Sequence, residues 1–367
     1  MPNFAPTEEQ EEIRKLAHSI AVEQLRPHGR SAEKTGEISL ELLHTLVETG
    51  LTTPFPEEYG GSGTLEAVTY TLIAEELGFG NGGLAMNIIG SLMGPMTVML
   101  AGNESQKGHY ITPFSDALEG YMRFGSLAFA ERTGGYNLAD ISATARKEGD
   151  HYILNGTKRD VIHGGRARPR VALVRLEGTN GLDGLCAIIL PPEVHGMHVR
   201  SDVQKLGLAA ATSASFTFDS AKVAVSNMLG NAGDSGVVRA ATLYQILRAA
   251  VACGISRAAL EYARDYARER LAFGRPIASY QGIAFIIAEM AMKLDAVRLL
   301  TWRAATSWDR NEDDALAMLV QETEAAQYQA VKLAKLATTD AVQVMGGAGF
   351  IQDHPAEMWM RDAATME

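Results

Sequence analysis

The hydrophobic period of this chain switches from helical to strand-like near Phe124 and back near Val237, and that switch constrains its fold more than any other feature. Upstream, Ile13, Leu16, Ala17, Ile20 and Leu25 recur on one helical face behind Thr7 and Gln10, a capping-box pair. A second helix is expected over Ser39–Gly50, followed by a Pro- and Gly-dense loop from Thr52 to Gly63. Helical patterns resume over Thr64–Leu77 and Leu84–Ala101. Between Phe124 and Asn231 the apolar runs are short and β-type, separated by turn residues such as Glu148-Gly149-Asp150 and Asn155-Gly156. Strands at such short spacing imply a compact antiparallel β domain.

From Val237 onward the chain reads as helix again. One long helix is expected to Leu271, broken by Gly274, Arg275 and Pro276. The next starts near Ser279 and carries Ile286, Ile287, Met290, Leu294 and Val297. A third spans Asp313–Met345 and stops at Gly346-Gly347, and a fourth begins at Pro355. Four long helices with short connections imply an up-down bundle. The expected fold is therefore α+β in three domains: a helical domain over 1–122, a β domain over 123–232 and a four-helix bundle over 233–367.

Composition narrows the function. The formal net charge of −11 argues against nucleic-acid binding, which needs a basic footprint. Arg166, Arg168 and Arg170 cluster, and are expected on a solvated loop. Cys186 and Cys253 sit in apolar runs, so a reducing cytoplasm fits and no disulfide framework is implied. The N-terminus lacks the basic-then-apolar order of a signal peptide. The uncharged stretch 84–101 is interrupted by Gly90, Gly94 and Pro95, which favours a buried helix pair over a membrane span.

Two stretches carry a family likeness: "ERLAFGRPIASYQGIAF" from Glu269, and "AVQVMGGAGFIQDHPAEMWMRDAATME" from Ala341. With "PFPEEYGGSG" and "KLGLAAATSASFTFDSAKVAVSNMLG", they resemble the acyl-CoA dehydrogenase family over essentially the whole chain. The resemblance implies FAD held between the β domain and the bundle, with a neighbouring subunit completing the site. It implies removal of the two hydrogens across the Cα–Cβ bond of an acyl thioester, borne by CoA or a carrier protein. An electron-transfer flavoprotein is the implied acceptor, and a homo-oligomer (tetramer or dimer) or a hetero-oligomer with a paralogue is the implied assembly.

The motif residues also have a physical rationale. Arg270 ends a long helix, where a guanidinium can meet a pyrophosphate, though a helix-end arginine is equally a surface residue. Phe273, expected on the same turn, offers an apolar face to an aromatic ring. Gln281 opens the next helix, where free amide N–H groups favour anions. Gln343 stands beside Gly346 and Gly347, whose lack of Cβ lets backbone approach a phosphate, or simply caps a helix.

Several positions depart from the family pattern. The loop usually written "TEPxAGSD" reads Ala130-Glu131-Arg132-Thr133-Gly134-Gly135-Tyr136-Asn137, so a flavin-facing threonine after Phe129 becomes Ala130. The "KxWITNG" segment reads Lys158 to Gly164, with Asp160 for the tryptophan, Val161 next, Ile162 for the threonine, and His163 as a titratable group or a plain turn residue. The acyl-binding arginine falls at Gln245, with Arg248 one turn later. The alternative glutamate position is Tyr244, whose phenol (pKa ~10) is a poor base. The usual glutamate base would fall beyond Glu367, which implies a truncated chain or a substitute role for Glu367 itself. These departures leave open a flavin oxidase or monooxygenase on the same fold, or a non-catalytic partner subunit. Leu92–Val98 and Leu243–Ile246 are expected to line the acyl pocket or simply pack the core.

Overall fold

A computed structural model describes residues 5–64, 66–116, 119–132, 135–201, 204–311 and 315–367, with the backbone alone at Tyr121. The first unit is helical: α1 (Glu8–Ile20), α2 (Arg26–Thr35), α3 (Leu40–Glu48), α4 (Ala67–Gly80), α5 (Gly82–Ala101) and α6 (Glu104–Tyr110). Thr7 and Gln10 form the expected capping box, and Ser39 caps α3 by accepting from Leu42 N. A single π-helical turn, Ala21–Leu25, joins α1 to α2.

The stretch expected as a broken helix pair is one continuous helix, α5, with Pro95 inside it. Its glycines serve contact rather than breakage. A Cβ on Gly90 would stand 2.7 Å from Ile162, and one on Gly94 would stand 2.6 Å from the backbone N of Ser126. The β domain packs on this bare face. Met86, Met93 and Met96 are buried in the core and Met99 packs against it.

The middle unit contains β1 (Ser126–Ala128), β2 (Thr144–Glu148), β3 (His151–Ile162), β4 (Arg170–Leu176), β5 (Leu185–Ile189), β6 (Met197–Arg200), β7 (Ser213–Ala224) and β8 (Met228–Leu229). They form one sheet in the order β6-β7-β3-β2-β4-β5-β8, with β1 beside β4. The sheet is mixed, not purely antiparallel: β4 pairs in parallel with both β1 and β2. Short strands in sequence do not fix the direction of their partners, and here β4 runs parallel to β1 and β2 but antiparallel to β5.

The third unit holds α7 (Ser235–Glu269), a short hairpin of β9 (Leu271–Ala272) and β10 (Arg275–Pro276), then α8 (Gln281–Arg310), α9 (Leu316–Met345) and α10 (Ala356–Thr365). The expected start of the third bundle helix, Asp313, lies outside the described residues. The fourth helix starts as expected after Pro355, and 10 of its residues are described. Phe273 is at the tip of the hairpin with φ 51°, off the helical turn that ended with Arg270.

Helices of the first and third units share one core. A Cβ on Gly254 of α7 would come 2.6 Å from Phe79 N, so α4 and α7 touch backbone to backbone. Beside that crossing, the buried Glu75 of α4 accepts from Arg298 Nη2 of α8 at 2.7 Å, and Glu76 pairs with Arg257 of α7. Buried carboxylates need such partners to stay ionised. Among the described residues two helices are long and apolar enough to cross a membrane, α5 and α7, but their apolar windows are 83% and 100% buried inside the fold.

Candidate functional site

The β-domain end of the site is built on a buried ion pair. Lys158 of β3 donates to Glu131 Oε1 at 2.7 Å and to Phe129 O at 3.1 Å. Glu131 also accepts from Ser142 N at 2.7 Å and Ala143 N at 3.0 Å. Burial alone would raise the Glu131 carboxyl, but Lys158 and Ser142 hold it below the usual carboxylate range. This anchor fixes the chain just after β1 and presents Phe129, Ala130 and, after the turn, Gly135–Asn137 toward α7.

Tyr136 is the centre of that presentation. Its ring meets Phe129 edge-on at 5.3 Å and Tyr244 of α7 at 6.1 Å. The Arg248 guanidinium lies 3.8 Å from the Tyr136 ring centroid, and Nη1 donates to the Tyr136 phenol oxygen at 2.7 Å. Arg248 Nη2 donates to Met366 O at 2.8 Å, and Gln245 Nε2 donates to Tyr136 O at 2.6 Å. Burial, then the neighbouring Tyr136, pushes the Tyr244 phenol up, so it stays protonated near neutral pH.

Tyr136, Gln245 and Met366 border a cleft of about 610 Å³ between the Gly135–Asn137 loop, α7, α9 and the end of α10. Its wall includes Gln245, Glu324, Gln327, Lys332, Lys335 and Glu367. Glu367 is an exposed lip residue whose Oε2 accepts from Lys335 Nζ at 2.5 Å. Glu324 accepts from Leu138 N at 3.3 Å, and burial outweighs that bond to raise its carboxyl.

The residues expected at the site fall into three groups. Gln245 and Glu367 line this cleft, Phe129, Tyr244 and Arg248 pack behind its wall residue Tyr136, and Ala130 is buried next to Phe129. Val161 and Ile162 are packed into the core, with Ile162 against Gly90 of α5. Arg270, Phe273, Gln281, Gln343, Gly346 and Gly347 are all exposed on the outer surface. Phe273 is 98% exposed, and a Cβ on Gly346 or Gly347 would meet nothing within 4 Å. Tyr136 is expected only as a member of its loop, and Glu324 and Gln327 not at all: polar residues on a long helix have no periodic signature.

Two further residues need placing. His163 lies in the turn after β3 with φ 57°, one of the two expectations for it, and is not an exposed titratable group. It is buried, and burial followed by the Arg166 charge lowers its pKa to about 3. Neutral, it lies 3.0 Å from Asn87 O through Nε2 and faces Arg166 through Nδ1, a structural role. Arg170 is not on a solvated loop either; it starts β4, buried, and donates to Pro191 O at 2.6 Å. Asp160 sits at a bulge of β3 with φ 52°, half-buried and 3.5 Å from Arg159 Nε.

Among known proteins, three family models match in order. They are the acyl-CoA dehydrogenase N-terminal domain over residues 7–117, the middle domain over 126–221 and the C-terminal domain over 234–367. An acyl-CoA dehydrogenase of Bacillus subtilis (strain 168) is 34% identical over 365 residues, covering 98% of this chain and 94% of that protein. The mitochondrial short-chain specific acyl-CoA dehydrogenase of Rattus norvegicus is 31% identical, covering 97% of this chain and 85% of its own. The butyryl-CoA dehydrogenase structure from Megasphaera elsdenii superposes with a TM-score of 0.84 at 28% identity, covering 100% of this chain and 95% of that one.

Proposed function

The chain belongs to the acyl-CoA dehydrogenase family, and we propose that it carries out FAD-dependent α,β-dehydrogenation of an acyl thioester. The observation that carries this reading is a cleft lined by Tyr136, Gln245 and the Glu367 lip, with Phe129, Tyr244 and Arg248 packed behind Tyr136. Val331 and Met366 give the cleft apolar lining and Lys332, Lys335 and Glu367 give it polar lining, as a thioester with an apolar acyl end requires.

The residues fit FAD. An exposed Phe273 in a left-handed conformation, beside exposed Arg270 and Gln281, is costly unless something covers it. The open backbone at Gly346 and Gly347, next to Gln343, admits a phosphate or ribose. When bound, FAD supplies the hydride acceptor. Arg270 and Gln343 would hold its pyrophosphate and ribose, Phe273 would cover a ring, and Phe129 and Ala130 would wall the inner end. The Lys158–Glu131 pair keeps that wall in place. α10 runs to the cleft, and Glu367, two residues past its end, stands on the lip as the weak candidate for the proton-accepting carboxylate.

Arg270, Phe273 and Gln343 are exposed and do not line the cleft, so we propose a homo-oligomer, dimer or tetramer, in which one copy's arm reaches the other's site. Phe285, Met292 and Leu299 support this, since they expose 66%, 67% and 44% of their surface in one stripe along α8. An electron-transferring flavoprotein as acceptor and a cytoplasmic setting complete the proposal; the two free, buried cysteines are compatible with the latter. The test is anaerobic incubation of FAD-loaded protein with a saturated acyl-CoA. Mass spectrometry should show a thioester lighter by two hydrogens, and recovery of unchanged substrate would count against the reading.

A further inference from the structure

We infer that Gln245 and Gln327 form an amide-reading pair for the pantetheine arm of the thioester, an inference that rests on the acyl-thioester reading above. Gln245 stands on α7 and Gln327 on α9, and both belong to the wall of the same cleft. The Gln245 amide has a fixed orientation. Its Nε2 donates to Tyr136 O, an atom that only accepts, so its oxygen must point the other way. That oxygen is buried and has no partner. Gln327 Oε1 is likewise buried without a partner. The two side chains are 1% and 9% exposed, so water does not satisfy them from bulk. Buried carbonyl oxygens of this kind are rarely left unpaired, and two on one cleft wall call for a ligand with N–H donors.

A pantetheine arm has that chemistry. It is an uncharged chain carrying two secondary amides, each with one N–H to give. The charge of the wall agrees with an uncharged occupant. Among the described lining residues, Lys332 and Lys335 are matched by Glu324 and Glu367, and Lys335 is already paired with Glu367. Arg248 is turned away from a substrate phosphate, since its Nη atoms hold Tyr136 and Met366. The wall therefore reads the arm, and contributes little to grip on the nucleotide end of CoA. The position where the family resemblance expects a cation holds a neutral amide, Gln245, and this matches a cleft selecting amide N–H rather than phosphate.

The test is titration calorimetry of the FAD-loaded protein with D-pantetheine and with CoA. The two are expected to bind within about threefold of each other. Gln327→Leu should weaken both by about tenfold, the effect of one hydrogen bond. Gln327→Glu keeps an acceptor oxygen and should lose less. CoA binding a hundredfold tighter than pantetheine, or a folded Gln327→Leu that binds like the parent, would overturn the pair. Flavin bleaching by an S-ethyl acyl thioester, without any pantetheine binding, would overturn the pair and leave the dehydrogenase reading standing. Bleaching by no thioester at all would remove both. Comparing acyl-CoA, acyl-pantetheine and an acyl-carrier protein as reductants then separates the sources. Equal rates for the first two support a free arm, and a preference for the third supports a protein-borne arm read by the same pair.

Discussion

Arg248 donates one hydrogen bond to the phenol of Tyr136 and another to the backbone oxygen of Met366, so one α7 side chain ties the β-domain loop to the end of α10. The link is buried, and its partners come from elements more than a hundred residues apart in sequence. Removing it leaves polar groups stranded on both sides. Arg248→Met should therefore destabilise the fold by about 2–3 kcal/mol, and Tyr136→Phe, which loses one bond to a charged donor, by about 1.5 kcal/mol. Urea unfolding of the variants measures both. Equal stability of all three proteins would show that the link contributes nothing.

The α4–α7 contact leaves no room for a side chain. Gly254→Ala would force a methyl group against the backbone of α4, where no rotamer change relieves the clash. A loss of about 1–3 kcal/mol is expected, seen as a lower midpoint of denaturation. An unchanged midpoint would mean that the helices separate readily at this point.

Asp362 of α10 is buried and accepts from Leu208 N at 2.6 Å. Burial is the main cause that raises its pKa to about 7, against an ordinary value of 3.8. The folded state then holds a proton that the unfolded state releases between about pH 4 and 7. The sign follows: stability from this group falls as pH rises through that window. Asp362→Asn keeps an acceptor for Leu208 N and removes the titration. It should flatten the pH dependence of unfolding between pH 4 and 7 and be the more stable protein at pH 8. A variant whose pH profile parallels the parent's would refute this account of Asp362.

The apolar stripe on α8 makes a prediction about assembly. Phe285→Glu together with Met292→Glu should reduce the mass measured by light scattering by at least half. If a second copy's arm holds the cofactor, flavin retained on purification should fall with it. Assembly unchanged by both charges would place the interface elsewhere.

The three-part fold was legible because each unit changes the hydrophobic period, and the helix ends at Thr7, Ser39 and Gly346 carry ordinary capping chemistry. What stayed hidden depended on contacts distant in sequence. Gly90 and Gly94 read as helix breaks because only the packed β domain shows them to be contact points. Arg170 read as a loop residue because its buried carbonyl partners, Pro191 and Pro192, lie 21 and 22 residues away. At the site, Tyr244, Gln245 and Arg248 could be found from their helix. Their shared partner Tyr136 could not, since it joins them only through the tertiary fold.

The most direct test of the central claim is the visible spectrum of the FAD-loaded protein, recorded without oxygen before and after adding acyl-CoA thioesters. A bound-flavin spectrum that bleaches on addition of thioester is expected, as the two hydrogens leave the substrate. A bound flavin that stays oxidised with every thioester tried, or a protein that takes up no FAD, would contradict that claim.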